Sequence, residues 1–550
     1  MIRALARGTS EAATLIPRTS TMSTCVHQVF STRASRHPTA AAALFGEEQL
    51  TYGELEGRAN QLAHYLQEHG VGPEIVVGIA VDRARSLAML ISVWAVLKAG
   101  GAFLLLNPAP SYPEKKLAFL LKETRPHLLV TQTHLVQRLS KHAGPAQVLC
   151  LDSERAAIAR RSTAAPTNTV LSGNLAYLMA TSGTTAGEPK IVQVEHHSLA
   201  NLAAGQIRGC DIEPTDRILQ FAAWTFDAVI SEIVLASCSG ACLVMGTREV
   251  LRPGPSLPAF LAQHQVSVAT LTPSVLVDAR MPATDLAPLR TLIIAGEVLP
   301  LAVVGRYARP GLRIINAYGP AECTVCLTLG DCTPSIPPDV GFPLPGVELL
   351  VLDEQLRPVP AGKPGTLYAG GRCLARGYSR PDLTAERFIA HPFVQGSRLY
   401  NTGDEACFLP NGRVRVFGRA GGDRQVKVAG GRRVQLEEIE AALWQQSGIG
   451  GCAVACYEDE GGTKQIVAYV VPAKGAQQAL PTREKLGASL VEAGLEPFMV
   501  PSCYVWLPAL RLCGNDKVDY RSLPRPTGSC RSRGTCLHHL LGGTCEGGLS

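Results

Sequence analysis

The run Ala180-Thr181-Ser182-Gly183-Thr184-Thr185-Ala186-Gly187-Glu188-Pro189-Lys190 concentrates groups that bind anions. Four hydroxyl residues and two glycines take six of the seven positions from Thr181 to Gly187, and Lys190 follows three residues later. The mostly apolar stretch from Asn174 to Met179 reads as a short buried strand that opens into this loop. Small residues let backbone N–H groups converge on phosphate oxygens, hydroxyls add donors, and the lysine adds charge. The G-x-x-x-x-G-K-[ST] pattern cannot be fitted to Gly183, Gly187 and Lys190, so this is not a Walker A loop. A surface turn has the same composition, so the loop alone does not settle the chemistry.

The elements that must position such a loop are spread over a long chain. At 550 residues, two or more domains are expected. The net charge of +6, from 52 basic and 46 acidic residues, is that of an ordinary solvated surface and argues against nucleic-acid binding. The apolar run Ala88–Leu97 is too short to span a bilayer and reads as a core helix, so no membrane association is expected. The 17 cysteines are scattered; Cys323 and Cys326 form one C-x-x-C with no second pair at zinc spacing. A cytoplasmic location with reduced thiols is expected. Residues 1–21, with Arg3, Arg7 and Arg18 and only Glu11 acidic, read as a disordered leader, a transit peptide being the alternative.

From Leu50 onward the pattern alternates. Leu55, Ala59, Leu62, Ala63 and Leu66 recur at helical spacing, with Gly70 available to end the helix. Ile75–Val81, Ala102–Leu106, Leu128–Thr131, Val148–Leu151, Ala241–Met245, Val266–Leu271 and Leu292–Ala295 read as strands between helices, which predicts α/β construction with largely parallel sheets. Near Val340, Pro and Gly become frequent and strands shorten (Leu349–Leu352, Gly365–Ala369, Arg413–Phe417), predicting a β-rich subdomain. A Gly-rich joint at Gly418–Gly431 precedes a helix at Leu436–Trp444 and a strand at Gln465–Val471. The expected organisation is a leader over 1–21, a large domain of two α/β subdomains plus the β-rich one over 22–420, a small hinged α+β lid over 421–524, and a disordered tail over 525–550.

Further motifs follow the loop in order: Phe226-Asp227, Asn316-Ala317-Tyr318-Gly319-Pro320-Ala321-Glu322, Leu374-Ala375-Arg376-Gly377-Tyr378, Tyr400-Asn401-Thr402-Gly403-Asp404, Gly418-Arg419, Asp423, Gln425-Val426-Lys427 and Asn515-Asp516-Lys517-Val518-Asp519. Each is weak alone. As an ordered set, from about Val26 to Leu523, they resemble the adenylate-forming enzymes, in particular the adenylation domains of nonribosomal peptide synthetases. The resemblance implies that a carboxylate attacks the α-phosphate of ATP, giving an acyl-adenylate and pyrophosphate, and that the acyl group then passes to a thiol. Charge building on the phosphate calls for Mg2+ and a lysine.

By this resemblance Thr181, Ser182, Gly183, Thr184, Thr185, Gly187 and Lys190 would cradle the β- and γ-phosphates. Ala317, Tyr318 and Gly319 would meet the nucleotide, Tyr318 lying against adenine. Glu322 would hold Mg2+, Asp404 the ribose hydroxyls, and Arg419 would sit near the ribose; Lys517 would reach the α-phosphate and the substrate carboxylate, and Asp423 would be the hinge.

Asp227 follows Trp224-Thr225-Phe226 and stands where amino-acid-activating members of the family pair an aspartate with the substrate α-ammonium; a helix N-cap is the structural alternative. The matched pocket positions Ala228, Ser231, Thr270, Ile293, Ala295, Ala317, Val325 and Cys326 are small or apolar with two hydroxyls, which implies an L-aromatic amino acid, tyrosine first. Cys323 and Cys326 would then line a pocket rather than bind metal. The acceptor thiol would be phosphopantetheine on a separate carrier protein, and the enzyme is expected to be a monomer. The sequence departs from the family pattern at Ala186, Ile191, Ala321, Thr366, Ala420–Gly422, Ala429, Gly430-Gly431 and Asp516, but not at Asp227, Glu322, Asp404 or Lys517. A CoA ligase acting on a carboxylic acid and a catalytically weak binding protein are the competing readings.

Overall fold

A computed structural model describes residues 24–82, 87–110, 112–181, 189–277, 286–419, 425–428, 432–446, 448–458, 464–473, 482–511, 518, 520–525 and 536–537. The chain divides into two compact units, the second comprising Pro110–Lys116, Ser182–Pro189 and Arg424–Ser550.

Local chemistry explains the elements of the first unit. The helix Tyr52–Glu68 opens on a capping box: the Thr51 hydroxyl accepts from the Glu54 N–H, and the Glu54 carboxylate accepts from the Thr51 N–H at 2.8 Å. Its buried stripe contains the expected Leu55, Ala59, Leu62, Ala63 and Leu66. The helix Ala88–Ala99 is buried on nearly all sides, as its continuous apolar run requires, and stops at Gly100, whose φ of 95° suits a residue without a Cβ.

Three sheets make up this unit. In the seven-stranded sheet, Val76–Ile79, Ala102–Leu105, Leu128–Thr131 and Gln147–Cys150 run parallel, and Leu175–Thr181 joins them parallel to Ala102–Leu105. The chain then returns antiparallel as Lys190–Glu195, with Thr181 opposite Lys190. The nine-stranded sheet has parallel strands at Ala41–Phe45, Arg217–Gln220, Cys242–Met245, Val268–Leu271, Thr291–Ala295 and Arg313–Tyr318, and antiparallel edge strands at Glu48–Thr51, Thr328–Asp331 and Phe342–Pro343. The third sheet is antiparallel and five-stranded: Val347–Leu352, Gly365–Gly371, Arg398–Phe408, Phe388–Ala390 and Val414–Arg419. The expected α/β class with a β-rich portion is therefore observed.

The two faces of the nine-stranded sheet are covered by different helices. Val268, Ile293, Ile315 and Ala317 share a core with Leu199 and Leu202 of the helix His196–Gly209 and with Ile230 and Ile233 of the helix Ala228–Ser239. Ala269, Leu292, Ile294 and Ile314 pack in a second core with Leu257 and Leu261 of Ser256–Gln263 and Val303 and Val304 of Leu301–Tyr307. Successive strand residues serve opposite faces, so the period of two divides them cleanly.

The second unit is α+β. It contains the hairpin Gln425–Val428/Arg432–Gln435, the helices Leu436–Trp444 and Arg483–Glu492, and a sheet of Ile449–Glu458, Lys464–Pro472, Cys503–Trp506 and Cys536–Leu537. Val434, Ile439, Leu443, Val454, Ala468 and Leu490 form its core. The pairing of Cys536–Leu537 with Val505–Trp506 is an exception to the unpatterned tail expected over 525–550. Among the described residues, no helix is long and apolar enough to cross a membrane.

Candidate active site

The expected pocket residues gather at the C-terminal ends of the parallel strands. Thr270 lies opposite Ile293, and Ile293 opposite Ile315; Ala295 lies opposite Ala317. With the two-residue period, Thr270, Ile293, Ala295 and Ala317 share the face covered by the helix Ala228–Ser239. In open α/β sheets this end of the strands is where ligands bind. Thr270 and Ala295 are half-buried, while Ile293 and Ala317 are buried.

The facing helix begins at Asp227. The residue occupies the N-cap position but has helical φ and ψ, and its side chain makes no capping hydrogen bond. Its carboxylate is half-buried, and its charge helps burial raise the thiol of Cys326 and the phenol of Tyr177 above their ordinary values. One turn on, buried Ser231 donates to Gln206 Oε1 at 2.7 Å. Gln206 also hydrogen-bonds the Cys326 thiol, which burial pushes up to about 12 and so keeps protonated. Ala228 and Val325 are half-buried.

The loop that leads to Asp227 is held from below by Glu232. This buried carboxylate accepts the N–H groups of Phe221 at 3.1 Å and Ala222 at 3.0 Å, and Gln220 Nε2 at 3.0 Å. Gln206 and Glu232 are residues the sequence reading missed. A glutamine and a glutamate within helices carry no signature, and Gln206 finds its partners 25 residues away at Ser231 and farther still at Cys326.

The strand Arg313–Tyr318 runs into a tight loop. A Cβ on Gly319 would lie 2.5 Å from the Val325 carbonyl oxygen and 2.7 Å from the Cys326 Cα, so only glycine fits there. Thr324 and Val325 both have positive φ, 54° and 67°, which is costly for β-branched residues and fixes the loop that presents Val325 and Cys326 to the wall. The loop is tied down by Leu327 N–H to Tyr318 O at 2.7 Å, Thr324 Oγ1 to Cys373 O at 2.8 Å and Ala375 N–H to Glu322 O at 2.9 Å.

Within this loop Glu322 is buried. One carboxylate oxygen accepts from the Tyr378 hydroxyl at 2.7 Å, and the other, Oε2, has no partner among the described residues. Burial and the Glu322 charge drive the Tyr378 phenol far above its ordinary value, so it stays a donor. The Tyr400 hydroxyl lies 3.5 Å from that of Tyr378, and the Lys190 ammonium sits 5.4 Å from the centre of the Tyr378 ring. Tyr318 donates its hydroxyl to Asp404 Oδ2. Asp404 follows a local turn in which Gly403 has φ 71°, Asn401 accepts from the Gly403 N–H, and the Thr402 hydroxyl accepts from the Asp404 N–H.

Tyr318 is thus tied to Asp404, Glu322 and Lys190 share Tyr378 as a neighbour, and Thr181 lies opposite Lys190 across the hairpin. The backbone of Arg419 pairs with Asp404. Ser182, Gly183, Thr184, Thr185, Gly187, Asp423 and Lys517 lie outside the described residues.

With this geometry in view, comparison with known proteins is decisive. The model of the AMP-binding enzyme family matches residues 30–379. The chain belongs to that family. A linear gramicidin synthase polypeptide of Brevibacillus parabrevis is 43% identical over 505 residues, covering 91% of this chain and 6% of the relative. Bacitracin synthase 3 of Bacillus licheniformis is 39% identical, covering 91% of this chain and 8% of the relative. The chain therefore spans less than a tenth of the length of either. Holo-PA1221, described as an NRPS protein containing adenylation and PCP domains, superposes with TM-score 0.77 at 27% identity, covering 91% of this chain and 84% of that one. The resemblance drawn from the ordered motifs is borne out, and the expectation of an adenylating ligase stands with it.

Proposed function

We propose that this AMP-binding enzyme activates an amino acid as its aminoacyl-adenylate, consuming ATP and releasing pyrophosphate, and passes the acyl group to a phosphopantetheine thiol on a separate carrier protein. The observation that carries the reading is Asp227: a half-buried carboxylate, not used as a helix cap, at the head of an otherwise uncharged wall. Such a group is well matched to a substrate ammonium, because pairing offsets the cost of taking the carboxylate out of water. A carboxylic acid without an amino group would bring no cation to this carboxylate, which speaks against a CoA ligase.

Glu322 suits a magnesium ion: a buried carboxylate with one oxygen satisfied by Tyr378 and the other without a partner among the described residues is a hard oxygen ligand. When bound, Mg2+ would neutralise charge on the nucleotide phosphates. The chain's own groups do the rest. Tyr318 presents an aromatic face to adenine while its hydroxyl steadies Asp404, whose carboxylate receives the ribose hydroxyls. Lys190, with the hydroxyl loop that ends at it, meets the outer phosphates, and Lys517 supplies the cation for the α-phosphate and the substrate carboxylate.

The preferred substrate is an L-aromatic amino acid, tyrosine first. Ile293, Ala295 and Ala317 give a flat apolar wall, and Ser231 leaves volume where a ring can enter. The Ser231 proton is committed to Gln206, so its oxygen is left to accept from a phenol. Amino-acid-dependent pyrophosphate exchange across the proteinogenic set tests this, with Lys517→Ala beside the unaltered protein. Exchange with tyrosine or phenylalanine that Lys517→Ala abolishes supports the reading; exchange only with small or charged amino acids removes the aromatic assignment, and no exchange with any of them removes the activity.

A further inference from the structure

Cys25, His27 and His196 have no part in the chemistry described above. We propose that they form a buried site for a thiophilic metal ion, Zn2+ or Cu+. Cys25 immediately precedes the helix Val26–Arg36, His27 is in its first turn, and His196 opens the helix His196–Gly209, so two helix starts bring the three ligands together. The three ligand atoms all lie within 4.8 Å of one another. Bonds of about 2.0–2.3 Å to N and S would set ligand atoms about 3.5–4.0 Å apart, so small side-chain rotations close the shell.

The side chains are 2%, 6% and 0% exposed. Among the described residues, His196 has neither ring nitrogen hydrogen-bonded, and His27 Nδ1 has no partner either. Buried imidazole nitrogens almost always find a partner, and these two rings, meeting edge to face at 5.4 Å, leave three of their four nitrogens without one among the described residues. The Cys25 sulfur makes a long contact, 3.8 Å, to the Val170 carbonyl and faces the Gln28 N–H in a capping arrangement. Burial lowers His27 to about 4 and His196 to about 3, so both rings are in the neutral form that a metal ligand needs. Lys98, whose charge reaches His27, is itself paired with Glu56 at 2.7 Å.

A thiolate with two imidazoles is a soft donor set and selects thiophilic ions over Mg2+ or Ca2+. On binding, the Cys25 thiol loses its proton to solvent and forms one sulfur–metal bond. The thiolate leaves the site neutral with Cu+ and singly positive with Zn2+. In so dry a place the neutral combination is favoured.

The test uses the full chain, reduced and stripped with a chelator, then equilibrated with Zn2+ or, anaerobically, with Cu+, and desalted. Metal content by mass spectrometry is compared with that of Cys25→Ser and His196→Asn, and Co2+ is added as an optical probe for a thiolate charge-transfer band. We expect about one ion per chain in the unaltered protein, lost in both variants, together with a metal-dependent rise in Tm and a Co2+ band that Cys25→Ser removes. Equal metal content in the protein and Cys25→Ser overturns the proposal. Because a substitution at so buried a place can impair folding, the unaltered chain is decisive by itself: no metal-dependent change in Tm and no Co2+ band also overturn it.

Discussion

At the end of the candidate site formed by Tyr318, Glu322, Tyr378, Tyr400 and Asp404, polar side chains hold one another in place. At the other end, Thr270, Ile293, Ala295 and Ala317 form a sheet face whose members are held by strand pairing, not by each other's side chains. Changing one member of the first group strands the partner that depended on it, and a buried stranded group is costly. Changing one member of the second alters volume and leaves the backbone ladder intact. The first end is therefore suited to chemistry that every substrate requires, and the second to choosing among substrates. Ser231, Gln206 and Cys326 are the small exception: a hydrogen-bonded set inside the selecting end.

Substitutions can break this contrast. The largest effect is expected for Glu322→Ala, which removes the ligand proposed for Mg2+ and frees the Tyr378 hydroxyl. Exchange measured with tyrosine and ATP should fall by about 10²–10³-fold, equally for all accepted amino acids. A loss that differed between amino acids would merge the two ends into one. Ser231→Ala should act the other way. It keeps overall exchange but narrows the preference for tyrosine over phenylalanine by roughly 10-fold, the worth of one neutral hydrogen bond. Parallel kcat/KM values for the two amino acids measure it.

A smaller effect is expected from the clip that holds the polar end. Glu74 accepts two bonds from Arg376, at 2.6 and 3.0 Å, and one from Asn174, and the Arg376 and Asn174 bonds, set against partial burial, bring its carboxyl down to about 2. Arg376 is next to the strand Gly377–Tyr378 that carries the partner of Glu322. A carboxyl lowered on folding contributes stability above its unfolded value, near 4.5, and loses it as pH falls towards about 2. The midpoint of urea unfolding should therefore fall over that window, and by less in Glu74→Gln. The pair is partly exposed, so the difference should be small.

How far the sequence could be read follows from the range of each interaction. Leu128–Thr131 and Leu436–Trp444 were legible residue by residue because their signals are local: a short apolar run, and a 3.6-residue period. The strand Lys190–Glu195 was not, since its partner is the strand before the hydroxyl loop and a loop reading of that region hides it. Asp227, Glu322 and Asp404 could be named as candidates because ordered motifs carry them. Tyr378 was quoted within a motif, but its bond to Glu322 spans 56 residues, and no spacing rule reaches that far. The Glu74–Arg376 contact spans 302 residues and His196 is remote in sequence from Cys25, so only the folded chain brings either set together.

The central claim is that Asp227 anchors the ammonium of the substrate. Its most direct test is pyrophosphate exchange by Asp227→Ala and the unaltered protein, each with tyrosine and with 3-(4-hydroxyphenyl)propionate, the same acid without its amino group. The unaltered protein should favour tyrosine, and Asp227→Ala should lose roughly 10²-fold with tyrosine while the amine-free acid holds or gains. An unchanged preference for tyrosine in Asp227→Ala would contradict the account.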